Sequence, residues 1–213
     1  MKFISHRGNN TFDSLNSLVG IKRALDTMYI DGVEFDVRVT RDNKLVVFHD
    51  GILNFKSDGY GFVRDKSYDD VTSIKLDNGY NIVGLDVLLA SIDTNKIIMI
   101  EVKDKNVGVD VLYEIISKYD FDYRIISFHY DFLVKFKRKY PKYKVGILIM
   151  FLINTKYFYN DFDFNIVEYS YYRRISKYKE AFIFNVNDKY KCENIYKYSR
   201  DFNIISDNIY LLK

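Results

Sequence analysis

Apolar positions along this chain alternate between two rhythms. Short β-branched runs are followed by longer stretches whose apolar residues recur three or four apart, the spacing of one helix face. The short runs predict strands at 2–5, 32–39, 44–48, 96–102, 124–128, 144–150, 165–169, 181–186 and 203–205. The longer stretches predict helices at 14–31, 85–92, 107–119, 130–140, 173–178 and 189–198. Pro141 stands just past the fourth helix, where a residue without an N–H is expected to stop it. The run 44–48 follows Thr40-Arg41-Asp42-Asn43 and reads as a hairpin return, which leaves eight strand and helix units. Eight alternating units predict an α/β fold, a compact (β/α)8 TIM barrel, as a single domain over residues 1–213. The competing open, doubly wound sheet lacks its usual mark, because no glycine-rich phosphate loop follows the first strand. The segment 154–162 and the tail after Asp207 are too brief for full-length helices. Residues 51–84 break the rhythm with five glycines, and a structureless connection of that length is uncommon in a compact domain. A small capping insertion after the second strand is expected there.

Composition narrows the function classes. At 48% hydrophobic and 29% charged residues the chain reads as an ordinary globular protein. Its 32 Lys and Arg against 29 Asp and Glu leave a net charge of +3, too small to mark a nucleic-acid binder. Lys135, Lys137, Arg138, Lys139, Lys142 and Lys144 read as the solvated face and end of a helix rather than a phosphate-binding patch. Twenty Tyr and 17 Phe beside abundant Lys, Asn and Ile are residues with A/T-rich codons, so aromatic and basic stretches carry little weight. The one cysteine, Cys192, can form neither an internal disulfide nor a thiolate metal site. The start of the chain has no signal-peptide core, and the longest apolar run, 145–153, falls short of the roughly 20 residues that span a bilayer. An intracellular, cytoplasmic protein without stable membrane insertion is expected.

Candidate chemistry begins with Gly-Val-Glu-Phe-Asp-Val, where Glu34 and Asp36 interrupt an apolar strand. Residues two apart on a strand share a face, so Val33, Phe35 and Val37 would face the helices while both acids point into the barrel near its C-terminal mouth. Two inward carboxylates repel one another unless a cation or a proton joins them, and a hard divalent ion such as Mg²⁺ or Ca²⁺ is the natural partner. The alternative is two surface acids on an edge strand. Glu101 and Lys103 repeat the pattern at the end of another apolar strand, either as a third metal ligand with a phosphate-binding base or as a plain ion pair at the rim. His6 and His49 both fall at strand ends, where they could act as general base and general acid. Arg7 offers a planar fork that matches phosphate oxygens. The third histidine, His129, sits at a strand-to-helix turn, which a polar residue opening a helix explains.

In this order the residues resemble the glycerophosphodiester phosphodiesterase family, over nearly the whole chain. His6-Arg7-Gly8 matches the family's opening motif, and Glu34, Asp36, Val37, Thr40, Asp42, His49 and Asp50 match its Glu-x-Asp-Val-x-x-Thr-x-Asp followed by His-Asp. Glu101 and Lys103 match its Ile-Glu-x-Lys strand, Ser127-Phe128 its Ser-Phe turn, Phe184-Asn185-Val186-Asn187 its Trp-Thr-Val-Asn, and Ile205-Ser206-Asp207 its terminal Ile-Thr-Asp. The resemblance implies a divalent cation held by Glu34, Asp36 and Glu101, His6 and His49 as the acid and base pair, and Arg7 and Lys103 on the phosphate. It implies a glycerophosphodiester substrate, cleaved to sn-glycerol 3-phosphate and an alcohol. The chain departs from the pattern at Ser14-Leu15-Asn16-Ser17 for Pro-Glu-Asn-Thr, at Asn54-Phe55-Lys56-Ser57 for Arg-Thr-Thr, and at Phe184, which keeps an apolar substrate wall without an indole donor. Two competing readings are a phospholipase D-like enzyme acting on lysophospholipid or sphingomyelin, prompted by Ile52, Leu53, Phe55, Tyr60 and Phe62 in the cap, and a non-catalytic phosphodiester-binding barrel.

Overall fold

A computed structural model of the chain describes residues 1–9, 15–150, 161–174 and 180–211. In order the elements are β1 (Phe3–His6), α1 (Leu18–Leu25), β2 (Gly32–Val39), β3 (Leu45–Val47), α2 (Tyr68–Thr72), α3 (Leu85–Ala90), β4 (Ile97–Val102) and α4 (Val109–Ile116). They continue with β5 (Asp122–Ser127), α5 (Tyr130–Lys139), β6 (Lys144–Ile149), β7 (Phe164–Glu168), β8 (Ala181–Phe184), α6 (Lys189–Tyr198) and β9 (Phe202–Ser206). Eight of the strands run parallel in the order β1, β2, β4, β5, β6, β7, β8, β9, and β9 returns to β1, so the sheet closes into the expected barrel. β3 stays outside that ring as the antiparallel partner of β2, with Val37 opposite Val47 and Val39 opposite Leu45. Because β2 is bonded on both sides, to β1 and to β4, the reading of Glu34 and Asp36 as edge-strand acids is excluded.

Alternation along each strand divides the apolar side chains into two cores. Ile4, Met99, Ile126, Leu148, Phe164, Ile166, Phe182 and Ile205 fill the barrel interior. Val33, Phe35, Val37, Ile98, Ile100 and Val145 face outward and bury the apolar stripes of the helices, including Ile21, Leu88, Leu112 and Phe136. Each such side chain, fully removed from water, contributes about 1.5–3 kcal/mol before the entropy of ordering is subtracted. The interior is tight: Phe164 packs edge-on against Phe182, and a Cβ at Gly146 on β6 would overlap the Phe164 ring.

α5 and α6 match their predicted stretches to within one residue, whereas α1, α3 and α4 are shorter than their apolar spacing predicts. α1 covers Leu18–Leu25 where 14–31 is expected: the Ser17 hydroxyl accepts the Gly20 N–H and caps its start, and the chain turns after Asp26. Ile30 keeps the helical spacing because it is buried in the turn leading to β2. The predicted helix at 173–178 is replaced, over its described part, by a 3-10 segment at Tyr169–Arg174. Ser14, residues 151–153 of the longest apolar run, 154–160 of the brief segment and 175–178 of that helix lie outside the described residues. Residues 51–84 form the expected cap, with 3-10 turns at Leu53–Phe55 and Val63–Asp65 and the short helix α2, whose Ser67 and Asp70 cap each other's backbone. Leu53, Val63, Val71, Leu76 and Ile82 close a small core on Val46 and Phe48 of the hairpin, which ties the cap to the strand that ends at His49.

The basic run on α5 behaves as a solvated helix end, with Lys137 paired to Asp163 and Lys139 to Asp110, both at 2.7 Å. Cys192 is half-buried on α6, and burial pushes its thiol pKa up. No helix among the described residues is long and apolar enough to cross a membrane.

Candidate active site

The site is built where four strand ends meet. β1 ends at His6, and the chain then turns through Arg7 at φ +57° and Gly8 at φ +89°. Gly8 is required twice over: its φ lies in the left-handed region, and a Cβ there would stand 2.8 Å from the Gly20 carbonyl carbon of α1. Arg7 is a non-glycine residue held in that region, a strained placement of the kind found at functional sites. Its N–H donates to the Glu34 carbonyl at 2.8 Å, and its carbonyl accepts the Asn16 N–H at 2.9 Å. Parallel register sets His6 level with Glu34 and Asp36 level with Glu101, so four candidate side chains share adjacent layers of the barrel mouth.

Glu34, Asp36 and Glu101 are buried, at 2%, 0% and 6% exposure, and offer carboxylate oxygens that lie within 4.8 Å of one another. Lys103 Nζ stands 3.0 Å from Asp36 Oδ1 and 2.6 Å from Glu101 Oε1, and Arg7 Nε stands 3.0 Å from Asp36 Oδ2. Asn16 clamps Asp36 from both sides: its amide donates to Asp36 Oδ2 at 2.8 Å, and its carbonyl accepts the Asp36 N–H at 3.1 Å. Burial pushes the Asp36 pKa up, but Lys103, Arg7 and His49 outweigh it and hold the carboxyl below its usual range. Glu34 and Glu101 go the other way. Burial, then the charges of Asp36 and Glu101, raise Glu34 well above the ordinary value, and burial with Asp36 raises Glu101 to about 7. Glu34 Oε1 is buried without a hydrogen-bond partner. A carboxylate triad with two acids pushed toward protonation and one oxygen orphaned has the donor set of a hard divalent cation, and the residues present fit such an ion.

Both histidines are anchored in the same way. His6 Nδ1–H donates to Asp207 at 2.6 Å, and Asp207 in turn accepts from the Asn187 side chain at 2.6 Å. His49 Nδ1–H donates to Asp50 at 2.6 Å. A carboxylate can only accept, so in the neutral ring each Nδ1 carries the proton and each Nε2 is left with the lone pair. His6 Nε2 lies 3.7 Å from Glu34 Oε2. Burial, reinforced by Lys103 and Arg7, lowers the His49 pKa against the opposing pull of Asp36 and Asp50. His6, Arg7, Glu34, His49, Glu101, Lys103 and Phe184 all line one cavity of about 180 Å³, whose other walls include Ile126, Leu148 and Ile166. Asp36 does not line the cavity but is fully buried against Arg7 and Lys103, which do. The sequence-predicted set is thus brought together without exception.

The sequence profile of the Glycerophosphoryl diester phosphodiesterase family matches residues 6–157, from the first histidine to beyond β6. The chain belongs to that family. A glycerophosphodiester phosphodiesterase of Caldanaerobacter subterraneus subsp. tengcongensis is 31% identical over 161 residues, a match covering 68% of this chain and 65% of the relative. One of Bacillus altitudinis is 26% identical over 168 residues, or 72% of this chain and 68% of the relative. The chain thus spans just under two thirds of the Caldanaerobacter relative's length. The fold is shared with a phosphodiesterase of Oleispira antarctica solved with its product sn-glycerol-3-phosphate, at TM-score 0.86 and 19% identity over 97% of this chain and 93% of that one. A glycerophosphodiester phosphodiesterase of Parabacteroides distasonis superposes at TM-score 0.83 and 23% identity, over 97% and 92% of the two chains.

Within this glycerophosphoryl diester phosphodiesterase family member, four residues matter that the sequence assigned no role. Asp207 holds His6 and Asn16 holds Asp36, although both stand in motifs the sequence displays. Arg38 donates from Nε to the His49 carbonyl at 2.8 Å and from Nη1 to Asp104 at 2.6 Å, while Asp104 also accepts the Val39 N–H at 2.9 Å. This bridge ties the loop after β4 to the hairpin end that carries His49. Arg38 is the next residue but one after Asp36, which is the signal that could have found it. His129 lies outside the cavity lining; its Nε2–H donates to the Lys103 carbonyl at 2.9 Å, and no side-chain cap bond is made to α5.

Proposed function

We propose that the chain hydrolyses glycerophosphodiesters to sn-glycerol 3-phosphate and an alcohol, with a divalent cation, Mg²⁺ or Ca²⁺, held by Glu34, Asp36 and Glu101. The observation that carries the reading is two carboxylate-anchored imidazoles on one cavity with a buried carboxylate triad, one of whose oxygens is orphaned. A bound divalent cation supplies Lewis-acid polarisation of the phosphoryl oxygens. Arg7 commits Nε to Asp36 and retains its terminal nitrogens for those oxygens, and the Lys103 ammonium adds positive charge where charge builds in the transition state. The glycerol hydroxyl next to the phosphoester attacks phosphorus, one histidine takes its proton at Nε2, and the other protonates the departing alcohol. Water then opens the cyclic phosphate as the two histidines exchange roles. Phe184 and the aliphatic walls keep bulk water from the carbon face of the glycerol.

The long-chain lipid reading draws on Phe55, Tyr60 and Phe62. Their exposed rings line a separate cap groove with Asn54, Asp65 and Lys66, and among the described residues that groove shares no lining residue with the catalytic cavity. No observation favours that reading over a small diester.

The test is release of glycerol 3-phosphate from glycerophosphocholine and glycerophosphoethanolamine with Mg²⁺ or Ca²⁺. His6→Ala and His49→Ala should each lower kcat by about 10²–10⁴ while circular dichroism stays unchanged. Wild-type turnover that persists undiminished in both variants sinks the assignment.

A further inference from the structure

Lys103 stands one residue past the end of β4, and β4 keeps register with β5 only as far as Glu101 and Ile126. Beyond that pair, two side chains from the end of β5 hold the carbonyls of Val102 and Lys103. The Ser127 hydroxyl donates to the Val102 carbonyl at 2.7 Å, and the His129 Nε2–H donates to the Lys103 carbonyl at 2.9 Å. The His129 N–H donates in turn to Ser127 Oγ at 3.0 Å, so the two donors brace one another. A carbonyl can only accept, which fixes a proton of His129 on Nε2.

On its other side the same short stretch is held to β2. The Lys103 N–H donates to the Val37 carbonyl at 3.2 Å, and Asp104 accepts from Arg38 Nη1 and from the Val39 N–H. The Lys103 backbone is thus pinned from both neighbouring strands, and its ammonium rests 3.0 Å from Asp36 and 2.6 Å from Glu101. His129 occupies the N-cap position of α5, where a Ser, Thr, Asp or Asn side chain would accept from the N–H groups of the first turn. Its side chain makes no such bond and reaches back to β4 instead. Opening the helix therefore does not explain the histidine. We propose, on the phosphodiesterase reading, that His129 is a positioning residue: through the Lys103 carbonyl it fixes the backbone from which the Lys103 ammonium reaches the carboxylates and the phosphoryl oxygens. His129 lies outside the cavity lining and acts only through Lys103.

Steady-state kinetics on glycerophosphoethanolamine tests this with His129→Ala, His129→Asn and His129→Gln, each also combined with Lys103→Met. The Gln amide nitrogen stands where the imidazole Nε2 does, whereas Asn caps α5 but falls short of the Lys103 carbonyl. His129→Ala and His129→Asn should therefore lower kcat by about 10–10²-fold, with His129→Gln recovering most of the loss and the urea midpoint of His129→Asn at or above that of wild type. In the Lys103→Met background His129→Ala should cost less than about twofold more, because residues acting through one another are not additive. No loss in His129→Ala, losses that multiply in that background, or losses that follow the urea midpoint rather than the donor at the Nε2 position overturn the proposal. A readout without turnover accompanies the kinetics. The ¹H–¹⁵N resonance of the Lys103 ammonium is visible only while Asp36 and Glu101 hold its protons, and it should vanish in His129→Ala and persist in His129→Gln. If the wild type turns over no glycerophosphodiester, the phosphodiesterase reading falls, and persistence of that resonance in His129→Ala then overturns the positioning role as well.

Discussion

His6 and Asp207 lie 201 positions apart in sequence, yet the 2.6 Å hydrogen bond between them decides which nitrogen of the imidazole is available to a substrate. Replacing Asp207 with Asn gives Nδ1 a partner that can also donate, and the ring can then be held in the wrong tautomer. Asp207→Asn should lower kcat by about 10²–10⁴ with the midpoint of urea unfolding little changed, as loss of an orienting carboxylate does in acid–base triads. An equal loss in KM-limited binding and no loss in kcat would contradict that role. Arg38 acts at one further remove, through the His49 carbonyl and Asp104. Arg38→Lys keeps the charge but loses the fork, so kcat should fall by more than the affinity for substrate, measured as separate kcat and KM. At this scale the sequence displays the candidate groups, because Glu34 and Asp36 or Glu101 and Lys103 interrupt apolar strands at a spacing of two. It hides the groups that hold them: Asn16 reaches Asp36 across 20 positions and Asp207 reaches His6 across 201, and no local pattern encodes either contact.

Among the elements, the strands and the ends of α5 and α6 were legible, and the ends of α1, α3 and α4 were not. β2 and β4 follow their predicted runs closely because inward and outward residues alternate strictly around a closed sheet. α1 spans Leu18–Leu25 against the longer stretch its spacing implies, since the Ser17 cap and the buried Ile30 are indistinguishable from helical positions in sequence alone. The cap was visible only as a loss of rhythm, because its core is assembled from single residues on turns rather than from a periodic face. The turn after β1 depends on close approach to α1. Gly8→Ala adds a Cβ at 2.8 Å from the Gly20 carbonyl carbon in a backbone at φ +89°. It should destabilise the fold by about 1–3 kcal/mol in urea denaturation and displace Arg7 from Asp36, lowering turnover as well. Unchanged stability would show that the turn relaxes freely and that glycine is not required there.

For the whole molecule, stability and the carboxylate triad are linked through pH. Glu34 and Glu101 have folded-state pKa values raised above their ordinary 4.5, Glu101 to about 7. A raised acid contributes stability that is full below its unfolded pKa and lost as pH rises through its folded value, so without a cation Glu101 weakens the fold between about pH 4.5 and 7, and Glu34 acts in the same direction. Asp36 has the opposite sign, its lowered pKa contributing stability above the ordinary carboxylate range. A divalent cation held by the ionised triad would reverse the loss. Saturating Mg²⁺ or Ca²⁺ should therefore raise Tm by about 5–10 °C at pH 8 and by much less at pH 5, read by differential scanning calorimetry. A shift of equal size at both pH values would place the ion elsewhere. Closure of the barrel followed from counting units, and the placement of the site at the C-terminal mouth followed from that closure, which is why fold and triad were read together.

The most direct measurement is ³¹P NMR of glycerophosphocholine incubated with the protein in Mg²⁺, in Ca²⁺ and in EDTA, beside Glu34→Gln. The account predicts a phosphate monoester signal that grows with cation present, is absent in EDTA and is lost in Glu34→Gln. A monoester signal that grows equally in EDTA and in the variant would contradict it.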